Sequence, residues 1–492
     1  MKKNNNLIHI VLIVLGSIFI TLSCFHSNMW FDESYSIAIA KRSFQDIWII
    51  GSKDVHPVLY YILLKIVLLI SNNNLIYARL FSVVPIVILS IIGFTHINRD
   101  FGNKVGLIFS MLILISPACI VYAGELRMYT WAMLFVSIMA LYCFRIVKYN
   151  YSIKNWIIFS VFSLLSAYTH YYALLIAGII NIGLFVFFIV NKHKNKEYEK
   201  YIRTSIVSAI VQVLLYLPWF GILLSQTKYV SETFWPYMPT PLDLVVFLST
   251  GFMKDSDYLP RIIIIIYSII AFIFVIYLVV KNWKNKQTQS AKVCVIILGI
   301  LVLILLIACA LLWKIVLYPR YFLNIFGLII FAFSMYLSRE NKFIISITII
   351  IVMIFSMFLN ISLIKLNYDE SNSKPYDYIA NNIKNDDIVI TNSYSGFTII
   401  AYIENDVNYR NMYFYNLKKW RVEEPYKAYG KTIFNLDDLQ DYKGRIWVIS
   451  DNDFEFQEIV KNELNDIGII EENKFDIKYQ KYNYTIALME KY

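Results

Sequence analysis

The sequence predicts an α-helical integral membrane protein, about eleven transmembrane helices plus interfacial helices, followed by a C-terminal α/β extracytoplasmic domain. Three observations carry this. The 492 residues are 58% hydrophobic and only 16% charged, with a mean hydropathy of +0.55, more apolar surface than a soluble interior can hide. Apolar runs near the length of a bilayer crossing recur along the chain. The charge is also divided: residues 1–365 hold 30 Lys/Arg against 13 Asp/Glu, and residues 366–492 hold 15 against 22.

Crossing about 30 Å of hydrocarbon takes about 20 mainly apolar helical residues. Runs that qualify, some at the short limit, cover residues 7–24, 76–95, 105–122, 128–147, 155–172, 173–190, 203–223, 261–280, 292–313, 318–337 and 343–364. The first follows Lys2-Lys3, but no small-residue cleavage site ends it, so it reads as a retained signal anchor. The run Pro57 to Ile70 is too short to span, and Lys65 would be costly at mid-bilayer. It reads as an interfacial helix.

Leaving that run out satisfies the positive-inside rule. Lys2-Lys3, Arg99/Lys104, Arg145/Lys148/Lys154, Lys192 to Arg203, Lys281 to Lys292 and Arg339/Lys342 become cytoplasmic, with 18 basic residues against four acidic. The N-terminus is then cytoplasmic. The opposite loops hold Trp30-Phe31-Asp32-Glu33, Asp54-Val55-His56-Pro57, Gly124-Glu125-Leu126-Arg127-Met128-Tyr129, Thr169-His170-Tyr171-Tyr172 and Tyr318-Pro319-Arg320-Tyr321.

The division falls at 1–365, a transmembrane domain, and 366–492, a soluble extracytoplasmic domain. Within the latter, Lys374 to Lys384 reads as a helix, Asp387 to Thr391 and Arg445 to Ser450 as strands, Asp453 to Leu464 as a helix, and Phe475 to Met489 as a hairpin. The loop Ser225 to Arg261 carries Trp235-Pro236-Tyr237 and an apolar stretch, Leu242 to Phe252, too short to span. It reads as a lid or as a second interfacial helix.

Composition also excludes. The helical segments offer no basic, aromatic-interleaved face for nucleic acid, and the basic half suits an anionic lipid leaflet instead. Cys24, Cys119, Cys143, Cys294 and Cys309 sit in or at the ends of apolar runs without ligand spacing, as small packing residues do. Asp255-Ser256-Asp257 and Asp451-Asn452-Asp453 read as solvated turns or caps. Asp54, His56 and Glu125 have the chemistry for zinc or manganese, with a spacing that is not diagnostic; no other cofactor is indicated.

A lone carboxylate at a helix end is usually a solvated cap, but Asp32, Glu33, Asp54, His56, Glu125, Arg127, His170 and Arg320 all fall on one predicted face. That is the arrangement expected of an enzyme at a bilayer surface. Glu125 has the alternative of pairing with Arg127, His170 that of a hydrogen-bonded interfacial histidine, and Arg320 that of an anchor beside two tyrosines.

Trp30-Phe31-Asp32-Glu33-Ser34-Tyr35, followed by Asp54-Val55-His56-Pro57-Val58-Leu59-Tyr60-Tyr61, resembles the first external loop of the protein O-mannosyltransferase and aminoarabinose-transferase superfamily, polytopic C-type glycosyltransferases. Glycosyltransferase family 39-like members show patterns similar to Gly124 to Tyr129 and Thr169 to Tyr172. The resemblance is strongest over residues 28–175. Val58 departs from it, standing where a second proline often follows the histidine.

The resemblance implies an inverting transfer of a sugar from a polyprenyl-phosphate donor to an acceptor at the outer face. Asp32 would be the general base, Glu33 would shape the site, Asp54 and His56 would line it, and Arg127 would lie near the donor phosphate. Arg320 joins them on position and charge alone. Ile-, Asn- and Lys-heavy usage suggests an AT-rich genome and so a bacterial plasma membrane. The acceptor, a cell-envelope glycan, lipid or protein, stays open. A lipid-linked glycan polymerase or ligase, and a flippase or transporter of lipid-linked sugars, are the alternatives; a transporter would place its ionisable residues at the midplane of broken helices.

Overall fold

The structure, a computed structural model, describes residues 2–26, 28–233, 240–254, 256, 258–312, 318–369, 379, 381–392, 411–415, 430–433, 436, 439, 442–451, 454–466, 470–479 and 482–491. The helices run α1 (Lys2–Thr21), α2 (Phe31–Ala40), α3 (Phe44–Lys53), α4 (Leu59–Ile70), α5 (Leu75–Ile92) and α6 (Asn98–Phe101). There follow α7 (Asn103–Ile115), α8 (Pro117–Ala123), α9 (Tyr129–Lys148), α10 (Ile153–Thr169), α11 (Tyr171–Asn191) and α12 (Tyr198–Thr233). Then come α13 (Pro241–Thr250), α14 (Arg261–Asn282), α15 (Gln289–Leu312), α16 (Leu323–Leu337) and α17 (Lys342–Asn367).

Among the described residues, eight helices are long and apolar enough to cross a membrane, or nine if the bent pair α7–α8 is one span. The chain is a multi-pass membrane protein. Each run read as a span in the sequence is helical among the described residues; α1 has 20 residues, and α10, with 17, is short for a span.

The bend of 52° between α7 and α8 has a local cause. Pro117 is the first residue of α8 and holds Ser116 extended, at ψ 139, since a residue before proline is pushed out of the helical region. The break opens a backbone carbonyl inside an apolar environment, where it needs a partner. Ser356 of α17 supplies one, donating to the Ile115 carbonyl at 2.5 Å.

The chain falls into two compact units. One comprises Met1–Cys24, His56–Tyr60 and Arg79–Leu363. In it α9 packs against α10 and α16, and the approach is close: a Cβ on Gly327 of α16 would come within 2.1 Å of Ser137 Oγ on α9. A side chain at 327 would force the Ser137 hydroxyl to move. The arrangement brings together the segments that start α9 and α16.

The other unit comprises Phe25–Val55, Tyr61–Ala78 and Ile364–Tyr492. Its C-terminal part is a six-stranded sheet of order β3-β2-β1-β4-β6-β5, formed by β1 (Ile388–Thr391), β2 (Met412–Tyr415), β3 (Lys431–Ile433), β4 (Gly444–Asp451), β5 (Ile470–Tyr479) and β6 (Tyr482–Lys491). The first four strands are mutually parallel and the β6–β5 hairpin joins β4 antiparallel. Helix α18 (Phe454–Asp466) sets Phe456, Val460 and Leu464 into the core with Ile390, Ile446 and Val448. That four-residue spacing is the buried stripe of an amphipathic helix.

β1, β4, α18 and the hairpin stand where the sequence places them. β2 and β3 are additional. The expected helix Lys374 to Lys384 lies mostly outside the described residues, with Ile379, Asn381 and Asn382 helical.

Candidate functional site

His56, Arg127, His170 and Arg320 converge in the membrane unit. His56 stands before Pro57, which favours an extended backbone there. Arg127 lies in the turn between α8 and α9, whose Gly124 carbonyl accepts from the buried Arg79 guanidinium at 2.8 Å. Within the turn the Arg127 N–H donates to the Glu125 carbonyl at 2.8 Å. The Arg127 guanidinium donates to His56 Nε2 at 3.1 Å, with both side chains buried.

His170 joins α10 to α11. Its backbone is extended, so it ends one helix and caps the next: its Nδ1 accepts the Tyr172 N–H at 3.1 Å, satisfying one of the orphan donors of a helix start. The His170 ring lies 5.5 Å from that of His56, 5.7 Å from Tyr129 and 5.0 Å from Tyr321, centre to centre. Asn324, in the first turn of α16, places its amide nitrogen 3.3 Å from the same Nδ1 and 2.5 Å from the Tyr321 carbonyl.

Arg320 sits on the 3-10 turn Pro319–Phe322 that leads into α16. Its guanidinium lies 6.0 Å from the Tyr129 ring centre, 5.2 Å from Tyr318 and 5.9 Å from Tyr321, within cation–π range. The tyrosine-anchored position and the place beside the histidines are the same position.

Electrostatics follow from this geometry. Burial, then the charges of Arg127, His170 and Arg320, hold His56 well below the usual histidine range. Burial, then Arg127 and Arg320, push His170 down to about 3. Both imidazoles are neutral near pH 7, beside two guanidiniums that stay charged. The site can therefore attract an anion and still present neutral hydrogen-bonding groups. A narrow apolar crevice lined by Ala118, Cys119, Tyr122, Tyr129, Thr130, Met133 and Leu323 borders it.

Asp32, Glu33 and Asp54 belong to the second unit. Asp32 and Glu33 occupy the first turn of α2, where the helix dipole favours negative charge. Glu33 is buried and accepts the Trp30 N–H at 3.3 Å, closing half of a capping box. Asp32 is half-buried, and its carbonyl accepts from Ser36 Oγ at 2.9 Å. Asp54 ends α3 and accepts from the Tyr61 hydroxyl at 3.4 Å; the Tyr61 ring packs edge-on to Tyr35 of α2. Tyr35 and Tyr61 thus tie Asp54 to the helix of the paired acids.

The apolar stretch after Pro241 is helix α13, which packs against α14 and the turn bearing Arg320. Asp243 is buried in its first turn, bonded to Thr240 and paired with Lys254 at 3.0 Å. Trp235-Pro236-Tyr237 and the aspartates at 255, 257 and 453 lie outside the described residues, and Asp451 ends β4. No group of three His, Cys, Asp or Glu that could hold a metal occurs among the described residues, so Asp54, His56 and Glu125 do not form such a set.

Sequence reasoning missed Arg79 and Asn324, and it carried Tyr129 and Tyr321 only within the strings around Arg127 and Arg320. Asn324 was the most findable, an amide four residues beyond Arg320 in an otherwise apolar helix.

No protein-family model matches the chain, and no curated protein matches its sequence. Solved structures do. ArnT from Cupriavidus metallidurans in the apo state superposes with a TM-score of 0.64 at 10% identity, over 97% of this chain and 97% of that one. The same protein bound to undecaprenyl phosphate gives 0.61 at 10% identity, over 98% and 97%. The chain shares that fold, the C-type fold expected from its sequence.

Proposed function

We propose that this chain is a membrane glycosyltransferase that takes a sugar from a polyprenyl-phosphate donor at the outer face of a bacterial cytoplasmic membrane and passes it to an acceptor there. The observation that carries the reading is the pair of guanidiniums, Arg127 and Arg320, beside two neutral histidines in a fold shared with a protein that binds undecaprenyl phosphate. Arginine suits a phosphate because its planar fork presents two parallel N–H donors and keeps its charge.

In the proposed reaction Asp32 accepts the proton of the acceptor hydroxyl as its oxygen bonds to the anomeric carbon. The bond from that carbon to the phosphate oxygen breaks, and polyprenyl phosphate leaves with the electron pair. Attack opposite the leaving group inverts the anomeric carbon. Deprotonation by a positioned carboxylate contributes roughly 10² to 10⁴ in rate, and cations at the phosphate stabilise the departing charge. The membrane domain 1–365 supports the carrier chemistry and 366–492 forms the extracytoplasmic domain.

The test uses membranes containing wild type or Asp32→Asn, supplied with a panel of polyprenyl-phosphate sugars. Wild type releases free polyprenyl phosphate in an acceptor-dependent reaction and the variant releases at most about one hundredth as much. Equal release removes Asp32 as base. Orientation is tested in a cysteine-free background: an impermeant maleimide added outside should label a cysteine at the exposed position of Gln45 and spare one at exposed Lys194.

A further inference from the structure

Helix α5 carries Pro85 in its interior. Proline has no N–H, so the carbonyl four residues earlier, that of Phe81, loses its helical donor, and within a bilayer a carbonyl left so needs another. The donor comes from α9. Trp131 Nε1 gives its hydrogen to the Phe81 carbonyl at 3.2 Å, and in the neighbouring residue pair Thr130 Oγ1 donates to the Ser82 carbonyl at 2.9 Å. The rings agree with the bonds, Phe81 and Trp131 lying 4.6 Å apart centre to centre.

These bonds fall just after Arg127 in the chain. Just before it, the Arg79 guanidinium holds the Gly124 carbonyl at 2.8 Å. The turn bearing Arg127 is thus fastened on both sides to one stretch of α5, residues 79–82. Arg79, Ser82 and Thr130 are at most 1% exposed, so water does not compete for the bonds they make. The hydrogen-bond partner of Arg127 is tied to the same stretch: Tyr60, four residues beyond His56, stacks on Phe81 with ring centres 6.2 Å apart.

We propose that Arg79 and Trp131 are positioning residues, which set Arg127 for binding the donor phosphate by holding its turn to α5, and that Pro85 serves this by leaving the Phe81 carbonyl open to the Trp131 indole. This rests on the glycosyltransferase reading and deepens it, placing part of the affinity for the lipid phosphate in a helix that carries none of the polar strings read from the sequence. Placement matters because a guanidinium displaced by about 1 Å loses the aligned pair of bonds that a phosphate accepts.

The test has two arms, both on the purified full chain. The first measures binding of bare undecaprenyl phosphate. Trp131→Phe, which keeps an aromatic ring and removes the N–H, should weaken binding about fivefold or more, the worth of about one hydrogen bond. Arg79→Leu should do the same, and Arg79→Lys should recover most of the loss. Adding Trp131→Phe to Arg127→Met should change binding by less than about twofold, because the indole acts through Arg127. A full further loss on top of Arg127→Met would make Trp131 a general structural residue and overturn the proposal, as would wild-type binding in both Trp131→Phe and Arg79→Leu.

The second arm needs no ligand. Trp131→Phe should lower the melting temperature in the wild-type background and leave it nearly unchanged in a Pro85→Ala background, where the restored N–H takes the Phe81 carbonyl. Equal losses in the two backgrounds would overturn the part given to Pro85. Failure of wild type to bind bare undecaprenyl phosphate would instead sink the glycosyltransferase reading, and the positioning role with it, even where the melting temperatures show the link between the helices.

Discussion

Helix α9 has an arginine at each end, and the two are used differently. Arg145, in its last turn, meets the buried Asp100 carboxylate at 2.8 Å, which also accepts from the Tyr149 hydroxyl at 3.0 Å, while Lys148 caps the Asp100 carbonyl. Glu340 repeats the pattern at the end of α16, taking both carboxylate oxygens to Lys281 at 2.8 Å while its carbonyl accepts from Lys104. Arg127, two residues before α9, donates to a neutral imidazole, and Arg320 lies over tyrosine rings. Charge at one end is matched by carboxylates and joins helices. Charge at the other end depresses two histidines.

Arg127→Met should separate the two uses most sharply, cutting sugar transfer about 10² to 10³-fold while the melting temperature in detergent moves little. Transfer retained at wild-type rate would return Arg127 to a structural role. Asp100→Ala should show the reverse. It strands Arg145, 6% exposed, as a buried unpaired charge, a loss of about 3–5 kcal/mol, readable by thermal unfolding, while turnover per folded molecule stays near wild type.

pH sharpens the contrast further. His170 is held at about 3 against an ordinary 6.5, so below 6.5 the unfolded chain takes up a proton that the folded chain refuses. Its contribution to stability is complete above pH 6.5 and is lost as pH falls towards 3, at roughly 1.4 kcal/mol per pH unit. His170→Gln should flatten that slope, and an unchanged slope would mean that the imidazole is not held neutral. The smallest effect belongs to Tyr149→Phe, which removes one hydrogen bond to Asp100 and should cost about 1 kcal/mol without altering transfer.

Much of this was legible in the chain. Apolar runs placed the helices because lipid forces the backbone to satisfy itself within each span, and four-residue spacing placed α18. The Asp-x-His-Pro, Glu-x-Arg, Thr-His-Tyr and Pro-Arg-Tyr strings marked His56, Arg127, His170 and Arg320 individually. The Ser116-Pro117 break was less legible, because whether proline bends or ends a span depends on what accepts the freed carbonyl's demand, here Ser356 from far along the chain. β2 and β3 escaped because strands of four and three residues carry too little alternation to read.

The sequence by itself determined that this is a membrane protein, where its helices run, and which polar strings interrupt them, since hydrophobic length and residue chemistry are local properties. Only the tertiary structure decided that four of those strings meet, that Asp100 and Glu340 use their charge on neighbouring helices, and that the Asn324 amide meets His170 Nδ1. Those outcomes depend on distances between segments remote in the chain, and electrostatic and hydrogen-bond energies exist only once packing has set those distances.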